Sequence, residues 1–252
     1  MNIQDIKRDF FEKGWCKIES FFDKSVIEEI KTALDDFMVK EVNNLKKGES
    51  HFTDKTDNNE LKINTIHVLS QKSSYFNKLL RNRKINELVK TILDDDIEPQ
   101  WSQLFAKPAR VGLGVPMHQD NYYWNINDNK TVTAWIAIDK VTNNNSGLSY
   151  YEGSHKLGLV EHEASFAKGT SQTVATSILT KLDNDTLVTP LLEPGDILLH
   201  HSCMIHGSAP NLSDSDRRGM SMWYKAKSAG INQEALTKYQ KSLKEQLDKK
   251  YK

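Results

Sequence analysis

The spacing of apolar residues in the first part of the chain is that of amphipathic helices. The pattern predicts helices at residues 3–13, 24–46 and 73–93. The second of these has the clearest apolar face, made by Val26, Ile27, Ile30, Ala33, Leu34 and Phe37. Asp23 or Ser25 can cap its first turn. A short strand is expected at residues 16–22, and a polar loop at residues 48–60.

From about residue 99 the pattern changes to short segments rich in β-branched and aromatic residues, bounded by Gly, Pro, Asn and Asp. These segments are predicted strands at 101–108, 131–141, 147–154, 185–202 and 217–226. Several short strands at this spacing predict an antiparallel sandwich, barrel or jelly roll rather than a parallel sheet. The charged segment 231–252 that follows predicts one more helix.

The 252 residues are expected to form one domain, because no internal repeat and no low-complexity linker divides them. We predict a mainly β fold with flanking helices. It comprises a helical amino-terminal support at about 1–97, a jelly-roll core at about 98–227 and a carboxy-terminal helix at about 231–250.

The charge balance argues against nucleic-acid and membrane partners. Thirty-four basic and 34 acidic residues give a formal net charge of zero, which supplies no long-range field for a polyanion. The amino terminus lacks the apolar core of a secretory signal, and no segment approaches 18 uncharged apolar residues. Cys16 and Cys203 are far apart, as expected of two buried free thiols. A cytoplasmic protein that acts on a small molecule is the expectation.

The stretch PMHQDNYYW at residues 116–124 suggests half of a metal site. His118 and Asp120 are two residues apart, so in a strand their side chains point to the same face. A third ligand is expected from the predicted strand ILLHHSCMIH, where alternation puts both His200 and His206 on one face. Periodicity does not choose between these two. Two histidines and one carboxylate on one face form the arrangement that holds non-haem Fe(II) with open coordination positions.

Three segments in order resemble the phytanoyl-CoA dioxygenase family of Fe(II)- and 2-oxoglutarate-dependent oxygenases. They are the His-x-Asp motif at 118–120, TAWIAIDKVTNNNSGLSYYEGSHKLG at 133–158 and PGDILLHHSCMIHGSAPNLSDSDRR at 194–218. The amino-terminal FFEKGWCKIESFFDKSVIEEIKTAL is also similar to the opening strand and helix of that family. The resemblance implies a double-stranded β-helix core, which is a cupin-like jelly roll.

The resemblance also implies roles for individual residues. The family's distal histidine precedes Gly-Ser, which selects His206 as the third metal ligand beside His118 and Asp120. Eleven residues later the family carries an arginine for the distal carboxylate of 2-oxoglutarate, and Arg217 stands there, with Arg218 as the adjacent alternative. Further contacts with 2-oxoglutarate are implied for the residues Trp135 and Ser208. A lysine that binds this cosubstrate in some members is expected near LKINTIHV.

The implied reaction is hydroxylation of an unactivated C–H bond by O2, with 2-oxoglutarate converted into succinate and CO2. The substrate is expected to be a compact polar or cationic metabolite. It would contact Trp124, Gln103, Phe105, Asn121 and Tyr123. Strand alternation groups Gln103 and Phe105 on one face with Trp101.

Three alternatives remain at the level of sequence. A jelly-roll protein with the same fold could bind metal and a small ligand without turnover. An acyl-CoA hydroxylase of the phytanoyl-CoA type is a second alternative, although no basic cluster dedicated to a coenzyme A phosphate is evident. The lysine-rich carboxy terminus could be a nucleic-acid arm, but Glu234, Glu245 and Asp248 are interspersed at helical spacing, which favours a solvated helix face.

Overall fold

A computed structural model describes residues 2–53, 60–127 and 130–250 of the chain, with side chains as far as residue 246. Its helices are α1 (Ile3–Lys13), α2 (Lys24–Lys40), α3 (Leu69–Lys72), α4 (Ser74–Leu80), α5 (Arg83–Leu93), α6 (Asn121–Trp124), α7 (Thr176–Leu179) and α8 (Gln233–Lys250). Short 3₁₀ turns lie at Val42–Asn44, Ser154–Leu157 and Asn184–Thr186. Among these described helices, none combines the length and the apolar character needed to cross a bilayer.

The strands form two larger antiparallel sheets. Those of the large sheet, in spatial order, are β1 (Trp15–Ile18), β11 (Ile197–His201), β6 (Thr131–Ala137), β13 (Arg217–Ala226), β4 (Ile97–Lys107), β3 (Ile63–Ile66) and β2 (Ser50–Phe52). Those of the small sheet are β10 (Leu187–Val188), β7 (Ser149–Tyr151), β12 (His206–Ser208) and β5 (Val115–His118). A separate hairpin pairs β8 (His162–Ala164) with β9 (Gln172–Val174).

The chain alternates between the two larger sheets. β4, β6, β11 and β13 belong to the large sheet, whereas β5, β7, β10 and β12, which intervene along the chain, belong to the small one. This alternation of antiparallel strands is the topology of a jelly roll. The prediction of a mainly β fold with flanking helices and a jelly-roll core is therefore confirmed.

The large sheet has one face packed on helices and one face turned toward the small sheet. Residues of the helix-packed face are fully buried together with the apolar faces of α2, α4 and α5, and they include Leu104, Ile136, Leu199 and Met220. The alternate residues of the same strands line a cavity between the sheets, and they include Phe105, Trp135, His200 and Arg217. Period-two alternation thus places the polar residues of these strands inside the molecule rather than in solvent.

Several predicted boundaries shift for local reasons. The helix expected over 24–46 ends at Lys40 and is followed by a 3₁₀ turn. The helix expected over 73–93 is two helices, because the Asn82 side chain accepts hydrogen bonds from the amides of Lys84 and Ile85 and starts α5 there. The expected loop at 48–60 contains β2, and its residues 54–59 lie outside the described part of the chain.

The expectation of one continuous strand from Ile197 to His206 is wrong. The backbone turns after His201, where the imidazole Nδ1 accepts a hydrogen bond from the amide of Cys203 at 3.0 Å. The carbonyl of His201 accepts another from the amide of Met204 at 2.8 Å. The chain therefore leaves the large sheet at His201 and enters the small sheet at His206.

Candidate metal centre and its cavity

Three potential metal ligands meet at one end of the small sheet. His206 is the register partner of His118 in the β12–β5 pair, and Asp120 lies two residues beyond His118. The carboxylate atom Oδ1 of Asp120 lies 3.6 Å from Nε2 of His118 and 3.8 Å from Nε2 of His206. One ligand atom from each residue lies within 4.8 Å of the others. The spacing and the donor types suit a metal ion with two imidazole ligands and one carboxylate ligand.

Hydrogen bonds set the orientation of both imidazoles. Nδ1 of His118 lies 2.9 Å from the carbonyl oxygen of Pro116, and Nδ1 of His206 lies 2.9 Å from that of Met204. A carbonyl only accepts, so Nδ1 carries a proton and Nε2 is the nitrogen that faces the cluster. Burial and the neighbouring His118 hold the pKa of His206 well below its usual value. His206 thus presents a neutral Nε2, and the ring of His118 is oriented with its Nε2 toward the same carboxylate oxygen.

The second carboxylate oxygen of Asp120 has two partners of its own. Thr133 donates its hydroxyl to Oδ2 at 2.6 Å, and Nε2 of His200 lies 3.1 Å from the same atom. The other ring nitrogen of His200 lies 3.0 Å from the hydroxyl of Tyr150. Burial raises the pKa of Asp120, but the surrounding histidines outweigh it and hold the pKa well below the usual value. His200 therefore contacts the carboxylate, while His206 is the histidine that clusters with His118 and Asp120.

Two buried basic side chains line the same cavity, on the large sheet. Arg217 is 1% exposed, and its Nη2 donates to the carbonyl of Ser146 at 2.6 Å. Its Nε and Nη1 have no hydrogen-bond partner among the described residues. Its register partner Lys107 is 2% exposed and donates to the Ser146 hydroxyl at 2.8 Å. A buried guanidinium with two unused donors needs an anion, since leaving such donors unpaired costs free energy.

Burial lowers the pKa of both basic groups. Burial, together with the charge of Arg217, lowers the pKa of Lys107 to about 6. Burial lowers the pKa of Arg217 to about 10. An anion bound between them would reverse the effect on Lys107, because a nearby negative charge favours the protonated amine.

The two arginines at the start of β13 have different surroundings. Arg218 forms a two-point ion pair with Asp139, with Nε at 2.8 Å and Nη2 at 3.0 Å from the carboxylate oxygens. Arg217 lines the cavity and Arg218 does not. Of the two arginines considered from sequence, Arg217 is the one available to an anion in the cavity.

The implied cosubstrate contacts Trp135 and Ser208 also line the cavity. The guanidinium carbon of Arg217 lies 5.4 Å from the centre of the Trp135 ring. The indole has room because a Cβ built on Gly219 would lie 1.8 Å from Cζ2 of Trp135. Gly219 therefore allows the close approach of the ring to β13 and, through it, the position of the ring beside Arg217.

The expected substrate contacts are divided. Trp124, Gln103, Phe105 and Tyr123 line the cavity, which has a volume of about 560 Å³. Asn121 does not line it: its amide donates to the carbonyl of Ile126 at 3.0 Å and accepts from the amide of that residue at 2.9 Å. The short helix α6 turns the side chain of Asn121 inward, so the expectation that this residue contacts substrate is not supported.

Sequence reasoning missed Lys107, which lies at the end of β4 and not near LKINTIHV, where a lysine was sought. The alternation that grouped Trp101, Gln103 and Phe105 extends two residues further to Lys107 and would have identified it. It also missed His51 and His67, which line the cavity from β2 and from the end of β3. From α8, a helix predicted as a solvated face, Tyr239, Leu243 and Gln246 join the lining, and no local pattern signalled this.

Comparisons with known proteins agree with the geometry. The family described as phytanoyl-CoA dioxygenase (PhyH) matches residues 10–219. A probable alpha-ketoglutarate-dependent hypophosphite dioxygenase of Stutzerimonas stutzeri is 26% identical over 230 residues, which are 88% of this chain and 78% of that protein. The peroxisomal phytanoyl-CoA dioxygenase of Bos taurus is 26% identical over 225 residues, which are 85% of this chain and 66% of that protein.

A solved structure shares the fold. EctD from S. alaskensis, crystallised with 2-oxoglutarate and 5-hydroxyectoine, aligns with a TM-score of 0.74 over 92% of this chain and 78% of its own, at 19% identity. At that identity the likeness concerns the jelly-roll fold alone. The family match covers most of the described sheets and both ligand-bearing strands. This chain belongs to the phytanoyl-CoA dioxygenase family.

Proposed function

We propose that the protein is an Fe(II)- and 2-oxoglutarate-dependent dioxygenase that hydroxylates an unactivated C–H bond of a small molecule and releases succinate and CO2. One observation carries the proposal: a His-Asp-His cluster and a buried arginine with two unused donors face the same cavity. The His-Asp-His cluster can hold a metal cation that keeps open coordination positions, and the arginine can hold a carboxylate.

The metal would be held by His118, Asp120 and His206, and Fe(II) there supplies the activation of O2 that protein side chains do not provide. The residues fit, because hydrogen bonds at Nδ1 orient both imidazoles with Nε2 toward the cluster and Asp120 is held as a carboxylate. Thr133 and His200 fix the orientation of that carboxylate by binding its other oxygen.

The distal carboxylate of 2-oxoglutarate would be bound by Arg217, with Lys107 as a second cation. The guanidinium keeps Nε and Nη1 as unpaired donors held in a fixed plane, and each can donate a hydrogen bond to a carboxylate oxygen. Trp135 packs beside the guanidinium and limits its movement. Ser208, on the opposite sheet, offers a hydroxyl to the same cosubstrate.

The rest of the cavity would hold the substrate and exclude water from the metal. Its walls there are mainly aromatic, from β4, α6 and β13, with α8 contributing Tyr239 and Leu243. Tyr239 packs against Tyr122 and Tyr123 with ring centres 5.9 and 5.7 Å apart, so the helix lies directly over α6. A site with aromatic walls on several sides would orient one C–H bond toward the metal.

Anaerobic addition of Fe(II) and then 2-oxoglutarate tests the proposal. We expect a visible charge-transfer absorption from the complex, followed by formation of succinate when O2 is admitted. His206→Ala should abolish both signals, because it removes a metal ligand. A protein that binds ligands without turnover would form no succinate, and absence of both signals in the unaltered protein would refute the proposal.

A further inference from the structure

We infer that the substrate is an uncharged molecule with a cyclic, largely apolar body and at least one hydroxyl or carbonyl group. The inference rests on the proposed function, because it assigns the metal ligands and the two buried cations to metal and cosubstrate. It differs from the compact polar or cationic metabolite that the sequence suggested.

The cavity wall formed by β4 and β13 changes character in steps along the strands. Antiparallel register pairs the inward residues as Lys107–Arg217, Phe105–Gly219, Gln103–Ser221 and Trp101–Trp223. The Lys107–Arg217 pair is basic, the Gln103–Ser221 pair is polar without charge, and the Trp101–Trp223 pair is aromatic. Of these four pairs, only Lys107–Arg217 therefore suits an anion, and it is the pair assigned to the cosubstrate.

Charged side chains are confined to the metal and cosubstrate end of the cavity. Among the described residues that line it, the Lys, Arg, Asp and Glu side chains are Lys107, Asp120 and Arg217. His67, in the substrate region, has its pKa lowered by burial to about 4, so it is neutral at pH 7. A substrate carboxylate, phosphate or ammonium would therefore be buried without a counter-charge, which is costly.

Indole rings form the far end of the cavity. Trp124 and Trp223 are stacked, with ring centres 4.1 Å apart and an interplanar angle of 9°. Trp101 meets Trp223 edge-on at 4.6 Å. Because these rings are packed against each other, they form a rigid wall rather than an open cage around a cation. Such a wall favours the flat face of a ring.

Uncharged hydrogen-bonding groups lie between that wall and the buried cations. Thr65 of β3 pairs with Phe105, so His67, two residues further on, lies beside Gln103, which in turn faces Ser221 across the β4–β13 pair. From α8, Gln246 is 9% exposed and lines the cavity, and its amide nitrogen has no partner among the described residues. These groups suit a hydroxyl or carbonyl oxygen.

The volume of the cavity argues against a very small substrate. About 560 Å³ lies within the range of sites that hold drug-sized ligands, and 2-oxoglutarate occupies only a part of it. An ion of the size of hypophosphite, the substrate named for one relative, would leave the aromatic wall without contact.

A panel of ligands tests the inference, and three of them share a naphthalene ring and differ in charge. The probes are 2-naphthol, 2-naphthoate and 2-naphthyltrimethylammonium, together with trans-1-decalone, hypophosphite and phytanoyl-CoA. Binding is followed by quenching of tryptophan fluorescence in the anaerobic Fe(II)–2-oxoglutarate complex, and turnover by succinate formed above the basal rate. We expect the naphthol and the decalone to bind at least about tenfold more tightly than the charged members, since burial of an unpaired charge is costly.

A charge placed in the wall should change this preference. Ser221→Asp should weaken binding of 2-naphthol and strengthen binding of the trimethylammonium probe, because it supplies the missing counter-charge. Ser74→Asp, an exposed position at the start of α4, is the control and should leave the order of the panel unchanged.

The outcomes separate this inference from the proposed function. Loss of the charge-transfer band and of basal succinate formation would refute the proposed function itself. If both are present but a charged member binds best, or neither neutral member quenches fluorescence at millimolar concentration, the neutral cyclic substrate class is wrong and the dioxygenase proposal stands.

Discussion

Nε2 of His200 lies 3.1 Å from Oδ2 of Asp120, whereas Oδ1 of the same carboxylate is the atom nearest His118 and His206. The histidine thus holds the oxygen that faces away from the ligand cluster. Its own orientation is set by the hydroxyl of Tyr150, 3.0 Å from Nδ1. Partners of this kind fix a ligand before the metal arrives.

Replacing His200 should weaken metal binding although His200 is not in the ligand cluster. We expect His200→Phe to raise the dissociation constant for Fe(II) by about 10–100-fold, which is the usual effect of losing such a partner. Anaerobic metal titration measures it. His200→Gln keeps a donor near Asp120 and should restore much of the affinity; equal affinity in all three proteins would contradict the positioning role.

The two adjacent arginines allow a matched test of cosubstrate binding. Arg217→Met should raise the KM for 2-oxoglutarate on the order of a hundredfold, because it removes the buried partner of a carboxylate. Arg218→Met breaks the ion pair with Asp139, outside the cavity, and should leave that KM near its original value. If Arg218→Met raises the KM as much as Arg217→Met does, the assignment of the carboxylate to Arg217 is wrong.

A single added methyl group should disturb the cosubstrate region. In Gly219→Ala the new Cβ would collide with Cζ2 of Trp135, so the indole must move away from β13 and from Arg217. We expect a loss of about 1–3 kcal/mol in the free energy of unfolding and a higher KM for 2-oxoglutarate. Denaturant unfolding and steady-state kinetics measure the two effects.

Gly230→Ala is the control for that substitution, because the atom nearest to a Cβ at position 230 is Nδ2 of Asn127 at 3.7 Å. It should change neither quantity. An unchanged KM in Gly219→Ala would mean that Trp135 does not support the binding of the cosubstrate.

Lys107 should make cosubstrate binding dependent on pH. Its pKa is lowered to about 6 in the ligand-free protein, and a bound carboxylate raises that pKa, so binding takes up a proton at pH values between the two. Affinity for 2-oxoglutarate should therefore be constant below about pH 6 and weaken as the pH rises above it. Calorimetry in buffers of different ionisation enthalpy measures the proton uptake.

Lys107→Met should remove this proton uptake. It also flattens the pH dependence above pH 6, because the variant has no amine to protonate at that position. Arg217→Met does not remove the titrating amine. Identical proton uptake in the unaltered protein and in Lys107→Met would assign the proton to another group.

The sequence predicts the metal cluster well because its information is local. His118 and Asp120 are two residues apart, and the Gly-Ser that follows His206 selects it through the family resemblance. The competition with His200 was not decidable from alternation, because alternation assumes a continuous strand and the chain turns at residues 202–205. His200 reaches the site from the large sheet and His206 from the small sheet. The alternation pattern of a single strand does not predict such an arrangement.

Other parts of the site depend on contacts between distant segments. Lys107 faces Arg217 only because β4 and β13 pair in one register, and α8 covers the cavity through tertiary packing. Asn121 lies outside the cavity lining because one turn of helix directs its amide to the backbone of Ile126. The spacing of the strands was sufficient to predict the fold. It was not sufficient to predict the direction of a side chain in a single helical turn.

The division of the site between the two sheets has one more consequence. His118 and His206 belong to the small sheet, and Lys107 and Arg217 belong to the large one. A cosubstrate that binds the metal on the small sheet and Arg217 on the large sheet spans the gap between the sheets. The distance between the two sheets therefore selects the length of the cosubstrate. Oxaloacetate is one carbon shorter than 2-oxoglutarate, so it should not reach both sites and should not replace 2-oxoglutarate as cosubstrate.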